Sequence, residues 1–264
     1  MNLDIKLMMT GHKTMGNRVY PRILFTGDWL IKLGFEIEAL VSAIYEDGVL
    51  RLKAHGTGVE VYKLLVPEIR RKKGQLFQVL NTARSKGRHL DLAIDGSWLK
   101  DQGFQVGDPL VVRYTQRLIE IKKLDVHDLG FDKDDEFRLI NVGKRTEHGR
   151  VFPRILLATS WLEEIGFHIG RLAKATYLDD GMNFTLCDQA EKIPRTARNM
   201  KQPPYVTIGY TKRTARPHKT VSSFSLTGSW LDELGYQVGD YLLLGIRKHQ
   251  ITLKQLDPQT LFAC

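Results

Sequence analysis

Cysteine is almost missing from this chain. Cys187 and Cys264 are the only two and stand far apart in the sequence, so they supply neither a disulfide framework nor a metal-ligand spacing. Two incidental thiols in a reducing compartment are expected. Long apolar runs are missing as well. No stretch approaches the ~18 residues that cross a bilayer. The opening Met1-Asn-Leu-Asp-Ile-Lys-Leu7 has an early acid and no clean apolar segment, unlike a secretory leader. The expectation is a cytoplasmic protein without a membrane partner. The sequence also has no Glu-x-x-His, Cys-x-x-Cys, Walker-type glycine loop or Gly-x-Ser-x-Gly elbow. No cofactor and no metal are expected, and nothing among these motifs supplies a catalytic group.

Tryptophan is scarce, but its placement is informative. The four Trp occur as Asp28-Trp29-Leu30, Ser97-Trp98-Leu99, Ser160-Trp161-Leu162 and Ser229-Trp230-Leu231. Each is followed in the same frame by Gly-aromatic: Gly34-Phe35, Gly103-Phe104, Gly166-Phe167 or Gly235-Tyr236. Trp29 and Trp161, Trp98 and Trp230, Pro21 and Pro153, and Asp125 and Asp257 are each separated by half the length of the 264-residue chain. A unit of two related repeats has been duplicated, giving the order A-B-A′-B′. Repeats one and three share Val-aromatic-Pro-Arg-Ile-Leu from Val19 and Val151. Repeats two and four share Gly-Ser-Trp-Leu and Gln-Val-Gly-Asp, at 96–99 and 105–108, then at 228–231 and 237–240.

Repeat three illustrates what one unit builds. Glu136 to Val142 alternates apolar and polar residues, as a strand does. Gly143 to Gly149 reads as a turn region, and Val151 to Leu157 as a second strand with Pro153 at an edge or bulge. Ser160 and Glu163 have the spacing of a capping box, and Gly166 stops the short helix that starts at Trp161. Leu172 to Leu178 and Asn183 to Cys187 form a terminal hairpin around Asp180-Gly181. The unit is strand, strand, short helix, strand, strand. At about 50 residues it is too small to bury its apolar face alone, so the repeats are expected to pair. Repeats 4–53 and 76–123 then make a first domain, 1–126. Repeats 136–187 and 205–255 make a second, 133–264. Pairing of repeat one with three and two with four is the alternative. Residues 60–74, with Arg70-Arg-Lys-Lys73, residues 188–204 and Asp125 to Asp135 read as links.

A strand with Pro-x-Ile-x-Leu, then Trp-Leu-x-x-x-Gly-Phe-x-x-Gly, then a hairpin resembles the SymE family of toxin-like proteins. It is similar more broadly to the AbrB/SpoVT/MazE superfamily. The resemblance covers roughly three quarters of the chain. It implies a mainly β fold with short helices: two tandem swapped-hairpin (AbrB-like) β-barrels, each built from two ββαββ repeats. The usual dimer partners would then be fused in one chain, and the expected assembly is a monomer. There are departures. Leu90 and Ser222 replace the family's proline in repeats two and four. Glu38 stands where the other repeats have Gly107, Gly170 and Gly239. Thr159 stands where the others have Gly27, Gly96 and Gly228. Equal roles for the four repeats are therefore not expected.

The net charge is +9. That value permits a polyanionic partner, but its distribution is more telling. DNA-binding members of the superfamily use the basic barrel edge near the loop between the first two strands. In this chain the corresponding stretches hold Lys13, Arg18 and Arg22; Arg84, Lys86 and Arg88; Lys144, Arg145, Arg150 and Arg154; and Lys212, Arg213, Arg216 and Lys219. These are 14 cations with a single acid, Glu147, within 10–22, 82–90, 143–154 and 211–220. Lys is a point charge and Arg a planar fork, both suited to phosphate oxygens. The expected partner is nucleic acid, duplex DNA or structured RNA. RNA cleavage of the SymE kind is the first alternative. Yet the intervals from His12 to Trp29, His89 to Trp98, His148 to Trp161 and His218 to Trp230 all differ, so no shared register marks a catalytic histidine. A protein-binding, antitoxin-like scaffold is the second alternative. The Trp residues and the following aromatics are expected to seat the helix on the core.

Overall fold

The computed structural model of the protein describes residues 4–84, 87–132, 134–188, 202–213 and 216–263; the side chains of 4, 83–88, 213–219 and 263 lie outside the description. Repeat one contains β1 (Asp4–Met9), β2 (Gly11–Met15), β3 (Arg18–Thr26), α1 (Trp29–Lys32), β4 (Leu40–Glu46) and β5 (Val49–Ala54). A helix, α2 (Val59–Arg71), leads to repeat two: β6 (Gln75–Gln78), β7 (Leu80–Arg84), β8 (Gly87–Asp95), α3 (Ser97–Asp101), β9 (Pro109–Thr115) and β10 (Leu118–Lys123). Repeat three has β11 (Glu136–Asn141), β12 (Gly143–Glu147), β13 (Arg150–Ala158), α4 (Trp161–Glu164), β14 (Leu172–Leu178) and β15 (Gly181–Leu186). Repeat four has β16 (Tyr205–Thr207), β17 (Gly209–Arg213), β18 (Arg216–Thr227), α5 (Ser229–Glu233), β19 (Tyr241–Arg247) and β20 (Gln250–Leu256), with α6 (Pro258–Ala263) at the end.

The chain is mainly β; the described residues form four antiparallel sheets, and none of these closes on itself. Repeats one and two share one pair of sheets, in the orders β1-β9-β10-β5-β4-β6 and β2-β3-β8-β7; repeats three and four share the other pair. The alternative pairing of one with three is thereby excluded. Within each pair the repeats exchange leading strands. β1 lies on the hairpin of repeat two through β9, and β6 lies on the hairpin of repeat one through β4. β11 and β16 do the same against β19 and β14. Each pair of sheets encloses one core. In the first it runs from Ile23, Phe25, Leu92 and Ile94 to Leu50, Leu52, Val112 and Ile121.

One corner residue joins each leading strand to the next: Thr10, Val79, Val142 or Ile208, all buried. There the chain switches sheets, and the partner repeat clamps it with a reciprocal pair of backbone bonds. Gly107 N–H donates to Thr10 C=O, and Thr10 N–H to Asp108 C=O, both at 2.8 Å. The equivalent donors to Val79, Val142 and Ile208 are Glu38 (2.9 Å), Gly239 (2.8 Å) and Gly170 (2.8 Å). All four donors have positive φ, and Glu38 alone does so with a side chain, at φ 63°. This backbone need explains the Gly at three of the four positions.

The Trp-Leu-x-x-x-Gly-Phe frame is a one-turn helix closed by a Schellman motif. In α4 the Gly166 N–H donates to Glu163 C=O (3.0 Å) and the Phe167 N–H to Leu162 C=O (2.8 Å). Leu162 and Phe167 are fully buried, as are Leu30 with Phe35 and Leu99 with Phe104. The expected capping box does not form: the Ser160 side chain makes no cap bond. Glu163 instead accepts from the Ser222 hydroxyl (3.0 Å) on β18, because Ser222 is buried and needs a partner. The tryptophans pack as expected. Trp230 is buried, and Trp29, Trp98 and Trp161 are half-buried against their cores. A Cβ at Gly27 or Gly228 would stand 2.9 Å from the indole of Trp29 or Trp230, which is why Gly precedes those rings.

The chain divides into two compact units, Met1–Asp125 with Pro258–Cys264, and Val126–Asp257. Two expected boundaries change. The segment 126–135 is not a free link but part of the second unit, where buried Phe131 packs on Phe137 and lies over Gly245. The last residues belong to the first unit, where α6 packs on β1 and β9 and Phe262 lies 4.3 Å from the Arg113 guanidinium. Arg113 and Gly245 are equivalent positions, separated by half the chain length. Each unit is thus covered, at the same place, by the segment that follows the other's last strand. Segment 60–74 is likewise not an open link, since α2 buries Leu65 and Ile69. Most of the link 188–204, with Arg195, Arg198 and Lys201, lies outside the described residues.

Candidate nucleic-acid interface

Among the described residues the basic stretches are mostly strand rather than loop. Each leading strand turns its corner and continues into a β-hairpin, β2–β3, β7–β8, β12–β13 or β17–β18. The expected turn region Gly143 to Gly149 contains strand β12, and only His148-Gly149 forms the turn, both at positive φ. Within the four-stranded sheet of the second unit, β13 and β18 pair only over Arg154–Ala158 and Ser223–Thr227. Outside that seam, β12–β13 and β17–β18 are two-stranded arms. The first unit repeats this, with β3 and β8 paired over Arg22–Thr26 and Asp91–Asp95.

Alternation along these strands sorts the candidate residues by face. In the β12–β13 arm, Arg145 lies opposite Phe152, Glu147 opposite Arg150, and Gly143 opposite Arg154, all on the face turned away from the core residues Ile155 and Leu157. Lys144, opposite Pro153, points to the other face with exposed Val151. The first unit places Lys13 opposite Tyr20, and Arg18 and Arg22 on the same outer face. Lys212 is exposed on β17. Arg84, Arg88, Arg213, Arg216 and Lys219 have described backbones on β7, β8, β17 and β18, but their side chains lie outside the described residues, as does Lys86 altogether.

The partners of these cations differ between units. Lys13 Nζ is bonded to Asp95 at 3.0 and 3.1 Å, and Arg22 Nε lies 3.8 Å from the same carboxylate. Arg154 Nε instead donates to the neutral Ser225 hydroxyl at 3.3 Å. Arg145 pairs with Glu147 near the tip of its arm, where both side chains are about half exposed. A count of cations inside the basic stretches does not reach Asp95, Ser225 and Thr227, which come from the strand across the seam. The signal for them is register, and register needs the sheet.

The described histidines of the basic stretches stand in three different settings. His12 is exposed opposite Pro21 on β2, His89 stands opposite Thr82 on β8, and His148 occupies a turn. The side chain of His218 lies outside the described residues. Among the described residues no group of His, Cys, Asp and Glu fits a metal ion, and no helix is long and apolar enough to cross a membrane. No protein-family model, curated protein or solved structure matches the chain.

Proposed function

We propose that the protein binds nucleic acid through its basic two-stranded arms, carried on two scaffolds of the swapped-hairpin barrel type, each assembled from two repeats. The exchanged leading strands support the scaffold reading. The observation that carries the functional reading is the set Arg145, Arg150 and Arg154 on one face of the β12–β13 arm. Two-stranded ribbons are one of the two elements that enter a B-DNA major groove, which is about 12 Å wide. Contacts to phosphate give affinity and salt dependence before sequence specificity. RNA cleavage is the weaker reading, since the histidines stand in unrelated settings.

The test is a titration with labelled duplex DNA and with RNA of matched length, across a salt series, with the strands examined afterwards. Binding weakens as salt rises, and the strands stay intact. The triple replacement of Arg145, Arg150 and Arg154 by Ala flattens the log–log salt slope by up to about 3, because each lost phosphate contact removes about 0.9. RNA shortened in the presence of a chelator reverses the order of the two readings. No binding at low salt rejects the proposal and directs the search to a protein partner of the antitoxin-like kind.

A further inference from the structure

The two units share strand order and core, and their outer sheet faces are related residue by residue through the half-chain offset. Lys13 corresponds to Arg145, Arg18 to Arg150 and Arg22 to Arg154, so these three positions are cationic in both units. The strand across the seam does not keep its character. In the first unit, Asp95 lies opposite Arg22 and Asp91 opposite Thr26. In the second, Thr227 lies opposite Arg154 and Ser223 opposite Ala158, while Ala93 becomes Ser225. Two carboxylates at the middle of the sheet have become two hydroxyls, and a third hydroxyl has been added.

The consequence is electrostatic. The Asp95 side chain is only 17% exposed and holds Lys13 and Arg22 together. A phosphate arriving at that face must compete with a fixed carboxylate for both cations; a second carboxylate, Asp91, is buried on the same side of β8 and accepts from the Thr82 hydroxyl at 2.7 Å. Like charges brought together on binding cost affinity. In the second unit the remaining acid is Glu147, out on the arm, 44% exposed and paired with an Arg145 that is 47% exposed. Such a surface pair is weak and readily exchanged. At the seam, Arg154 keeps its charge beside Ser225 and Thr227; the Ser225 hydroxyl accepts from Arg154 and has its own proton to donate to a phosphate oxygen, and the Thr227 hydroxyl, which donates to Pro153 C=O at 3.4 Å, brings no charge.

We infer that the duplicated units have divided their roles. The second unit's sheet face, centred on Arg154, Ser225 and Thr227, is the phosphate-binding face, and the first unit's equivalent is held closed by its own carboxylates. This rests on the nucleic-acid reading above and specifies which unit performs it. The ligand is the phosphodiester backbone, whose oxygens can accept from both a guanidinium and a hydroxyl.

A charge transplant tests the division in the full chain, with labelled duplex at low salt. Thr227→Asp introduces the first unit's carboxylate beside Arg154 and weakens binding by about tenfold or more, the size of a lost charge-assisted contact. Thr227→Asn, of the same shape without the charge, retains most of the affinity and separates charge from misfolding. Asp95→Thr strengthens binding, because it releases Lys13 and Arg22. Alanine at Arg150 and Arg154 costs several times more affinity than alanine at Arg18 and Arg22. Equal losses in the two units, or an unchanged affinity in both Asp95→Thr and Thr227→Asp, overturn the division of roles while leaving nucleic-acid binding intact. Absence of wild-type binding to duplex and RNA alike overturns the functional reading itself.

Discussion

At the scale of single residues, the most informative position is the one where a repeat breaks its own rule. Glu38 takes the left-handed conformation that Gly107, Gly170 and Gly239 hold in the other repeats. A side chain there costs about 1 kcal/mol or somewhat more. Glu38→Gly is therefore expected to raise the stability of the first unit by about 1 kcal/mol, read as a shift in the denaturation midpoint at unchanged slope. A lower midpoint would show that Glu38 makes a compensating contact. His55 provides a pH dependence. Burial lowers its pKa below the usual 6.5, the nearby Lys53 charge adds to this and Glu68 opposes it; its Nε2 lies 2.9 Å from Ser42 Oγ. Because the folded value is the lower one, the unfolded chain takes up the proton first. The contribution of His55 is thus complete above pH 6.5 and is lost as pH falls through 6.5 toward the folded value. His55→Gln should flatten the stability profile of the first unit between pH 7.5 and 5; a profile as steep as wild type counts against it. The departure at Glu38 was legible in the sequence. Its meaning was not, because the frame shows an absent Gly but not the φ that required one.

At the scale of elements, spacing was a good guide wherever the structure is local. The helix, its glycine stop and its buried aromatic all follow from Trp-Leu-x-x-x-Gly-Phe, since the Schellman motif spans only the short run from Leu162 to Phe167. The reading failed where a partner strand decides. Gly143 to Gly149 looks like a loop by composition, yet pairing with β13 makes most of it a strand. Ser160 and Glu163 have capping-box spacing, but Glu163 is taken by buried Ser222, far along the chain on β18. The segment 60–74 misled for another reason, since the cations Arg70 to Lys73 masked an amphipathic pattern. α2 buries Leu65 and Ile69 against its unit and leaves Leu64 79% exposed. Leu65→Ala is expected to cost about 2–3 kcal/mol, and Leu64→Gln less than about 0.5 kcal/mol. Equal costs, measured by chemical denaturation, would mean that the helix does not dock.

At the scale of the molecule, the doubling was legible and the crossing of segments was not. A half-chain offset predicts two similar units, and the units are there. No periodicity reveals that α6 belongs to the first unit or that the segment around Phe131 belongs to the second. Phe262 is 5% exposed and lies over Arg113, whose guanidinium pairs with the buried Glu120 carboxylate. Phe262→Ala is expected to destabilise the first unit by about 3 kcal/mol and to spare the second. Hydrogen exchange reads both, through amides of β1 and β9 on one side and β19 and β20 on the other. Faster exchange in both units alike would deny α6 its assigned place. The same arrangement sets an order of events during synthesis. Val126–Asp257 is one unbroken stretch and has all its parts once Asp257 has left the ribosome. Met1–Asp125 must wait for Pro258–Cys264, which follow the whole of the second unit, so the stretch made earlier is completed later.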